Sequence, residues 1–169
     1  LYQLGTVCVV RQILRLPGDN IRVLVEGRAR ALAHQFTMPE HEGDCIYAEV
    51  EELDTDQWLA VIQKCRAAGV PQLTFTGGEP TLRHDLVKLV DAAQWFVTRL
   101  NTNGRMLTPV LCRELAEASL DSVQVTLYSA DEATHNTLVG AEGFADTVAG
   151  IKNALAAGLN VSINTPLCS

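Results

Sequence analysis

Apolar positions along this chain follow two different periods, and the change falls near residue 53. Up to about Glu52 the pattern is that of strands. "TVCVVRQILRL" and "IRVLVEGRARAL" are rich in β-branched residues and flank "PGDN", a hairpin signal. A third strand is expected in "CIYAEVEEL", where Ile46, Ala48 and Val50 alternate with Tyr47, Glu49 and Glu51. The stretch between, "HQFTMPEHEGD", is polar and holds Pro39 and Gly43, so it is expected to be a loop. The sum is an antiparallel meander of three strands over residues 1–52, too small to be stable unless it packs against something.

From Asp54 the period becomes helical and then alternates. "DTDQWLAVIQKCRAAG" opens on a capping Asp or Thr and ends on Gly69, with Trp58, Leu59 and Ile62 at helical spacing. "PQLTFT" follows as a strand and "LRHDLVKLVDAAQ" as a helix. "WFVTRLNTNG" is a strand ending in a turn, and "TPVLCRELAEA" a helix with Pro109 in its first turn. "DSVQVTLYS" is a strand, "GFADTVAGIKNALAAG" a helix, and "NVSINT" a last strand. Strands and helices alternating at these lengths predict βαβ units, a parallel sheet and right-handed crossovers over residues 54–169. Ligands of such sheets sit at the C-terminal ends of the strands. The partner of "CIYAEVEE" separates two architectures. Beside "QLTFT" it would be the first strand of the parallel sheet; beside the hairpin alone it leaves two separate modules.

Composition narrows the function classes. The net charge of −7 argues against a general nucleic-acid or anionic-membrane surface. No window approaches the ~18 consecutive apolar residues of a membrane span. The opening "LYQLGTVCVVRQ" has no basic n-region or cleavage site, so no signal peptide is expected, and the missing Met points to a trimmed or partial chain. The five cysteines, at positions 8, 45, 65, 112 and 168, form no compact metal-ligand spacing. They fall at apolar positions and are expected to be buried, reduced thiols, which fits a cytoplasmic location.

Three strand ends carry candidate chemistry. In "TGGEP", Gly77 and Gly78 allow close backbone approach and positive φ, Glu79 offers an anionic acceptor for an ammonium group, and Pro80 presets the turn. The stretch is no phosphate loop, since it lacks GxxxxGK[ST] and its carboxylate would repel phosphate. A plain strand-to-helix turn accounts for the same residues. In "NTNG", Asn101 and Asn103 could bond a ligand's hydroxyl or carboxylate, but Asn-Gly is equally a turn signal. "VTLYSADEATHN" supplies Thr126, Ser129, Asp131 and His135, the last expected to be a surface or turn histidine.

Taken together, "LTFTGGEPTLRHDLVKLV", "LNTNGRML", "LDSVQVTLYSADEATHNTLVG" and "GIKNALAAGLNVSINT" resemble, in order and spacing, the radical S-adenosylmethionine (SAM) superfamily from about Asp54 to Ser169. The resemblance implies an α/β fold, an incomplete (βα) partial barrel of TIM type with parallel strands that stops at its fifth strand. It implies that Gly77, Gly78 and Glu79 of the GGEP motif, with Pro80, receive the ammonium of SAM's methionine. Thr126 would match a ribose-contacting hydroxyl, and Asn103 would face the same pocket. The family also implies a [4Fe-4S] cluster on a CxxxCxxC motif between the first strand and first helix. Upstream of Asp54 only "GDCIYAEVEEL" is present, with Cys45 alone, so no ligand set for iron is found and radical chemistry is not expected.

The first segment has a resemblance of its own. "LYQLGTVCVVRQILRLPGDNIRVLVEGRARAL" with "YAEVEEL" is similar to part of the N-terminal substrate-recognition domain of Lon proteases. This implies polypeptide contact through apolar surface, without ATPase or protease parts, for there is no Walker A motif and no Ser-Lys site. The whole then reads as a chimera of two incomplete pieces joined near residues 52–54. Three outcomes follow: an inactive SAM-binding core, a polypeptide-binding module, or a fragment that self-associates through open sheet edges.

Overall fold

A computed structural model describes residues 4–16, 20–38, 41 and 45–166. The expected turn at 17–19, Pro39, Gly43 and Cys168 lie outside the described residues. The chain divides into two compact units, Leu1–Asp54 and Thr55–Ser169.

The first unit is an antiparallel sheet in the order β1 (Leu4–Leu16), β2 (Asn20–Thr37), β3 (Tyr47–Glu52). β2 runs further than the pattern suggests: "HQFT", expected as loop, pairs with β3, with Phe36 opposite Ala48 and Thr37 opposite Tyr47. Cross-strand pairing overrides the polar composition there, since a strand needs only alternate apolar residues. β3 pairs with β2, and the other sheet contains β4 to β7 alone, so the strand joins the hairpin and not "QLTFT". Among the described residues of this unit, only Ala31 and Ala33 are buried. Val9 and Val10 are consecutive and both exposed, which places apolar side chains on both faces of β1.

The second unit is a parallel sheet, β4 (Gln72–Phe75), β5 (Val97–Thr102), β6 (Ser122–Thr126) and β7 (Asn160–Asn164), in sequential order. Helices α1 (Thr55–Ala67), α2 (Leu86–Asp91), α3 (Pro109–Glu117), α4 (Glu132–Val139) and α5 (Phe144–Ala156) connect and cover it. Alternation decides what each strand face does. Leu100, Val123 and Val125 are fully buried against Leu107, Cys112, Leu115 and Ala154. Arg99, Asn101, Gln124 and Ser162 occupy the opposite face, which is polar and open. A smaller cluster of Ile62, Leu89, Ala93 and Phe96 seats α1 beside α2.

Strand β5 is tied at its start by Asp121. Its Oδ2 accepts the Thr98 N–H at 2.7 Å and the Thr98 hydroxyl at 3.0 Å, while that hydroxyl accepts the Asp121 N–H at 3.1 Å. Two sequence expectations about helices need correction. α2 is six residues long and begins after Asp85, because Pro80–Leu82 forms a separate 3-10 turn. α4 was not anticipated, and it buries His135 to 3% exposure, where a surface or turn position was expected. No helix among the described residues is long and apolar enough to cross a membrane. The cysteines also depart from expectation: Cys112 is buried and Cys65 half-buried, but Cys8 and Cys45 are exposed, and all four are free.

Asp85 fastens α2 to the start of α1. Its carboxylate accepts from Arg83 Nε at 2.9 Å, Arg83 Nη2 at 2.7 Å and the Thr55 hydroxyl at 2.7 Å. The Arg83 hydrogen bonds outweigh the opposing effect of burial and, with Thr55, hold the carboxyl at about 2 against an ordinary 3.8. A depressed folded-state pKa adds stability that is complete above the unfolded value and lost as pH falls through the folded one. Asp85→Asn should therefore cost about 2 kcal/mol at pH 5, with variant and parent converging near pH 2. Urea titrations at the two pH values check this; equal midpoints at pH 5 would dismiss the fastening.

Candidate functional site

The C-terminal ends of β4, β5 and β6 border one open cleft of about 420 Å³. Of the residues singled out in the sequence, Gly77, Gly78, Glu79, Asn103 and Thr126 line it. Pro80 does not: it is buried as the first residue of the 3-10 turn and faces a neighbouring apolar hollow beside Trp58, Leu73 and Leu86. Gly77 has φ 157°, outside the range that L side chains favour, whereas Gly78 has no positive φ, so only the first glycine is conformationally required.

Glu79 does more than present a charge. Its Oε1 accepts the Thr81 N–H at 3.1 Å, the Thr81 hydroxyl at 2.5 Å and the Thr102 hydroxyl at 2.6 Å. Its Oε2 accepts the Asn103 N–H at 2.8 Å. One carboxylate thus caps the 3-10 turn after β4 and clasps the turn after β5, and Oε2 keeps room for a further donor. Asn103 is used locally: its Oδ1 accepts the Arg105 N–H at 2.9 Å, an Asx turn that leads into Gly104 at φ 80°.

α5 presses on that turn from outside. The Thr147 hydroxyl donates to the Asn103 carbonyl at 3.0 Å, and Asn153 Nδ2 to the Leu107 carbonyl at 2.8 Å. Between them Gly150 lies against the Gly104 carbonyl oxygen, so closely that an added Cβ would overlap it. The sequence does contain a signal for this contact, a glycine in mid-helix, which helices tolerate at a cost of about 1 kcal/mol. Its partner turn, ~46 residues away in the chain, carries no matching mark.

The third strand end is organised by structural bonds. Asp131 caps α4, its Oδ2 accepting the Thr134 N–H at 2.9 Å and hydroxyl at 2.7 Å, and these bonds lower its pKa. Ser129 Oγ accepts the Asp131 N–H at 3.0 Å. Asn136 Oδ1 accepts the N–H groups of Gly143 and Phe144 at 3.2 and 3.1 Å, capping α5 from α4. His135 Nδ1 accepts the Tyr128 N–H at 3.3 Å, and its ring meets Tyr128 and Phe144 edge to face. His135 and Tyr128 line the cleft wall, as does Arg105, whose guanidinium lies 3.6 Å from Asp146.

Among the described residues that line the cleft, Asn101 Oδ1 is the one buried side-chain polar atom without a hydrogen-bond partner. The cleft as a whole offers acceptors to a polar ligand with donor groups, which suits an amino acid or a ribose. Iron is a different matter. Among the described residues no three His, Cys, Asp or Glu side chains come together. Cys8, Cys45, Cys65 and Cys112 lie in β1, before β3, in α1 and in α3. The thiolate set of a [4Fe-4S] cluster does not fit these residues.

The family model described as the radical SAM superfamily matches residues 44–168. Solved structures agree in fold. Native anSMEcpe with bound AdoMet aligns with 66% of this chain and 34% of its own, at 16% identity and a TM-score of 0.57. Its complex with AdoMet and Cp18Cys peptide aligns with 67% and 35%, at 16% identity and 0.58. A histidine-tagged form of the same protein with bound AdoMet aligns with 73% and 35%, at 17% identity and 0.55. The chain spans about a third of the length of these proteins. The likeness is to their partial barrel of parallel βα units, the architecture expected from the sequence.

Proposed function

Since the chain belongs to the radical SAM superfamily, we propose that its cleft binds S-adenosylmethionine and that this chain does not carry out the family's radical chemistry. The methionine ammonium lies at Gly77, Gly78 and Glu79, the ribose at Thr126, and Asn103 borders the same space. The observation that carries this is the Glu79 carboxylate, which joins two strand-end turns into one cleft and keeps Oε2 open to a further donor. The absence of radical chemistry rests on the donor set: three thiolates are needed, and among the described residues no such group exists.

Calorimetry with SAM and anaerobic reconstitution with iron and sulfide test the two parts separately. The expected result is SAM binding without a stoichiometric cluster. No binding heat removes the first part, and a stoichiometric, SAM-responsive iron–sulfur absorbance removes the second.

A second reading concerns residues 1–52, the segment similar to the Lon substrate-recognition domain. Val10, Ile13, Ile21 and Leu24 are all more than half exposed, an apolar surface suited to unfolded polypeptide. The same surface, with β1 and β3 as the outer strands of their sheet, also suits self-association. Binding of a labelled unfolded polypeptide to the whole chain, with sedimentation across a concentration series, separates these outcomes; a monomer that ignores the polypeptide sinks both.

A further inference from the structure

The parallel sheet ends at β4, which pairs with β5 alone. The Pro71 carbonyl accepts the Val97 N–H at 3.0 Å, and in a parallel strand alternate residues direct both backbone groups to the same neighbour. Leu73 and Phe75 therefore bond to β5. The N–H and C=O of Thr74 point away from it, along an edge that no strand of the described residues fills. The same edge borders the apolar hollow, of about 150 Å³. Helix α1 walls the hollow with Trp58, Val61, Ile62 and Cys65, a stripe at i, i+3, i+4 and i+7, while Leu73 and Thr74 line it from β4. A space of this size takes one ring-sized apolar group.

Two needs meet at this one place. Unpaired strand groups call for donors and acceptors at the strand repeat, and the hollow calls for an apolar side chain. A polypeptide strand carries both, whereas a small apolar molecule supplies only the second. Charge narrows the partner further. Arg99 is opposite Thr74 on the open, polar face of the sheet and has no ion pair among the described residues. Thr74 is short, so the guanidinium reaches across it to an acidic residue on a strand laid beside β4. We propose that the lane between β4 and α1 binds an extended segment of another polypeptide in which apolar and acidic residues alternate. One apolar side chain fills the hollow and a carboxylate on the other face meets Arg99. This site does not depend on the SAM reading of the cleft.

The probe is a fluorescein-labelled synthetic peptide, IYAEVEEL, which copies residues 46–53 and has that alternation. It is titrated into the whole chain by fluorescence anisotropy. Thr74→Pro should weaken binding at least about tenfold, since it removes the outward N–H and spares the bonds to β5. Circular dichroism checks its fold, and Val61→Glu, which sets a charge in the hollow, serves should the proline variant misfold. Arg99→Leu in the chain, or Glu49→Lys with Glu51→Lys in the peptide, should weaken binding about twofold to fivefold, as for an exposed ion pair. Hydrogen exchange should slow at the Thr74 amide on adding peptide and stay unchanged at Leu73, which is already bonded to β5. No binding by the parent chain overturns the proposal. Equal binding by the parent and a folded Thr74→Pro chain moves the peptide to another surface and overturns it too. Equal affinity for the lysine peptide removes the acidic requirement, and with it the stated partner. A Thr74 amide protected without peptide also overturns the proposal: if independent of concentration, the chain fills its own edge, and if rising with concentration, a second copy does.

Discussion

Gly150→Ala should lower the melting temperature by roughly 10 °C, from an overpacking cost of about 3 kcal/mol. In an isolated helix the same change is stabilising by about 1 kcal/mol, so the sign is informative. The added Cβ would overlap the Gly104 carbonyl oxygen and come within 3.1 Å of Leu107 Cβ. The obstacle is backbone, and the turn that carries it cannot retreat: a Cβ at Gly104 would itself stand 2.9 Å from Val125 Cγ1. α5 must therefore lift, loosening the Thr147 bond to the Asn103 carbonyl and with it the cleft's rim. Circular dichroism melts of the two proteins check this. A higher melting temperature in the alanine variant would show that α5 does not seat on the Asn-Gly turn.

Glu79→Gln should cost about 2–3 kcal/mol before any ligand is added. Four donors converge on the carboxylate, and a glutamine has one oxygen to give them. Whichever way the amide turns, its NH2 faces a backbone N–H, that of Thr81 in the place of Oε1 or that of Asn103 in the place of Oε2, and this donor loses its acceptor. SAM affinity should fall as well, for two reasons that act together: the ammonium loses a charged partner, and the turns that shape the cleft come apart. Urea unfolding without ligand isolates the structural share and calorimetry reads the rest. An unchanged urea midpoint would mean that Glu79 does not clasp the two turns.

The parallel βα order was legible because strand and helix periods alternate cleanly after Asp54, and the cleft's position follows from where such sheets bind ligands. What escaped is mostly interaction between distant residues. α4 was missed because Thr134, Asn136 and Thr137 are weak helix formers, although Asp131 at its start and Gly140 at its end in the left-handed conformation are its caps. Glu79 was legible as an acceptor but not as a clasp, since Thr102 and Asn103 lie 23 and 24 residues on. Burial of Cys8 and Cys45 was inferred from apolar neighbours. Such composition guarantees burial only where a second layer covers the strand, and these two are exposed. Asn101 was visible as a polar residue before a turn; that it is the unpaired one depends on the geometry of the cleft.

The two carboxylates that hold the ends of β5, from outside the strand, also set its reading frame. Asp121 holds Thr98 at one end and Glu79 holds Thr102 and Asn103 at the other. A slip of one residue between β4 and β6 would turn Leu100 out into the cleft and press Arg99 and Asn101 among the buried aliphatics. The strand's own hydrogen bonds resist such a slip weakly, because a parallel ladder repeats. Side chains anchored outside the ladder do not repeat, so the identity of the residues offered to a ligand is decided partly at Thr98, at the far end of the strand from where the ligand would sit.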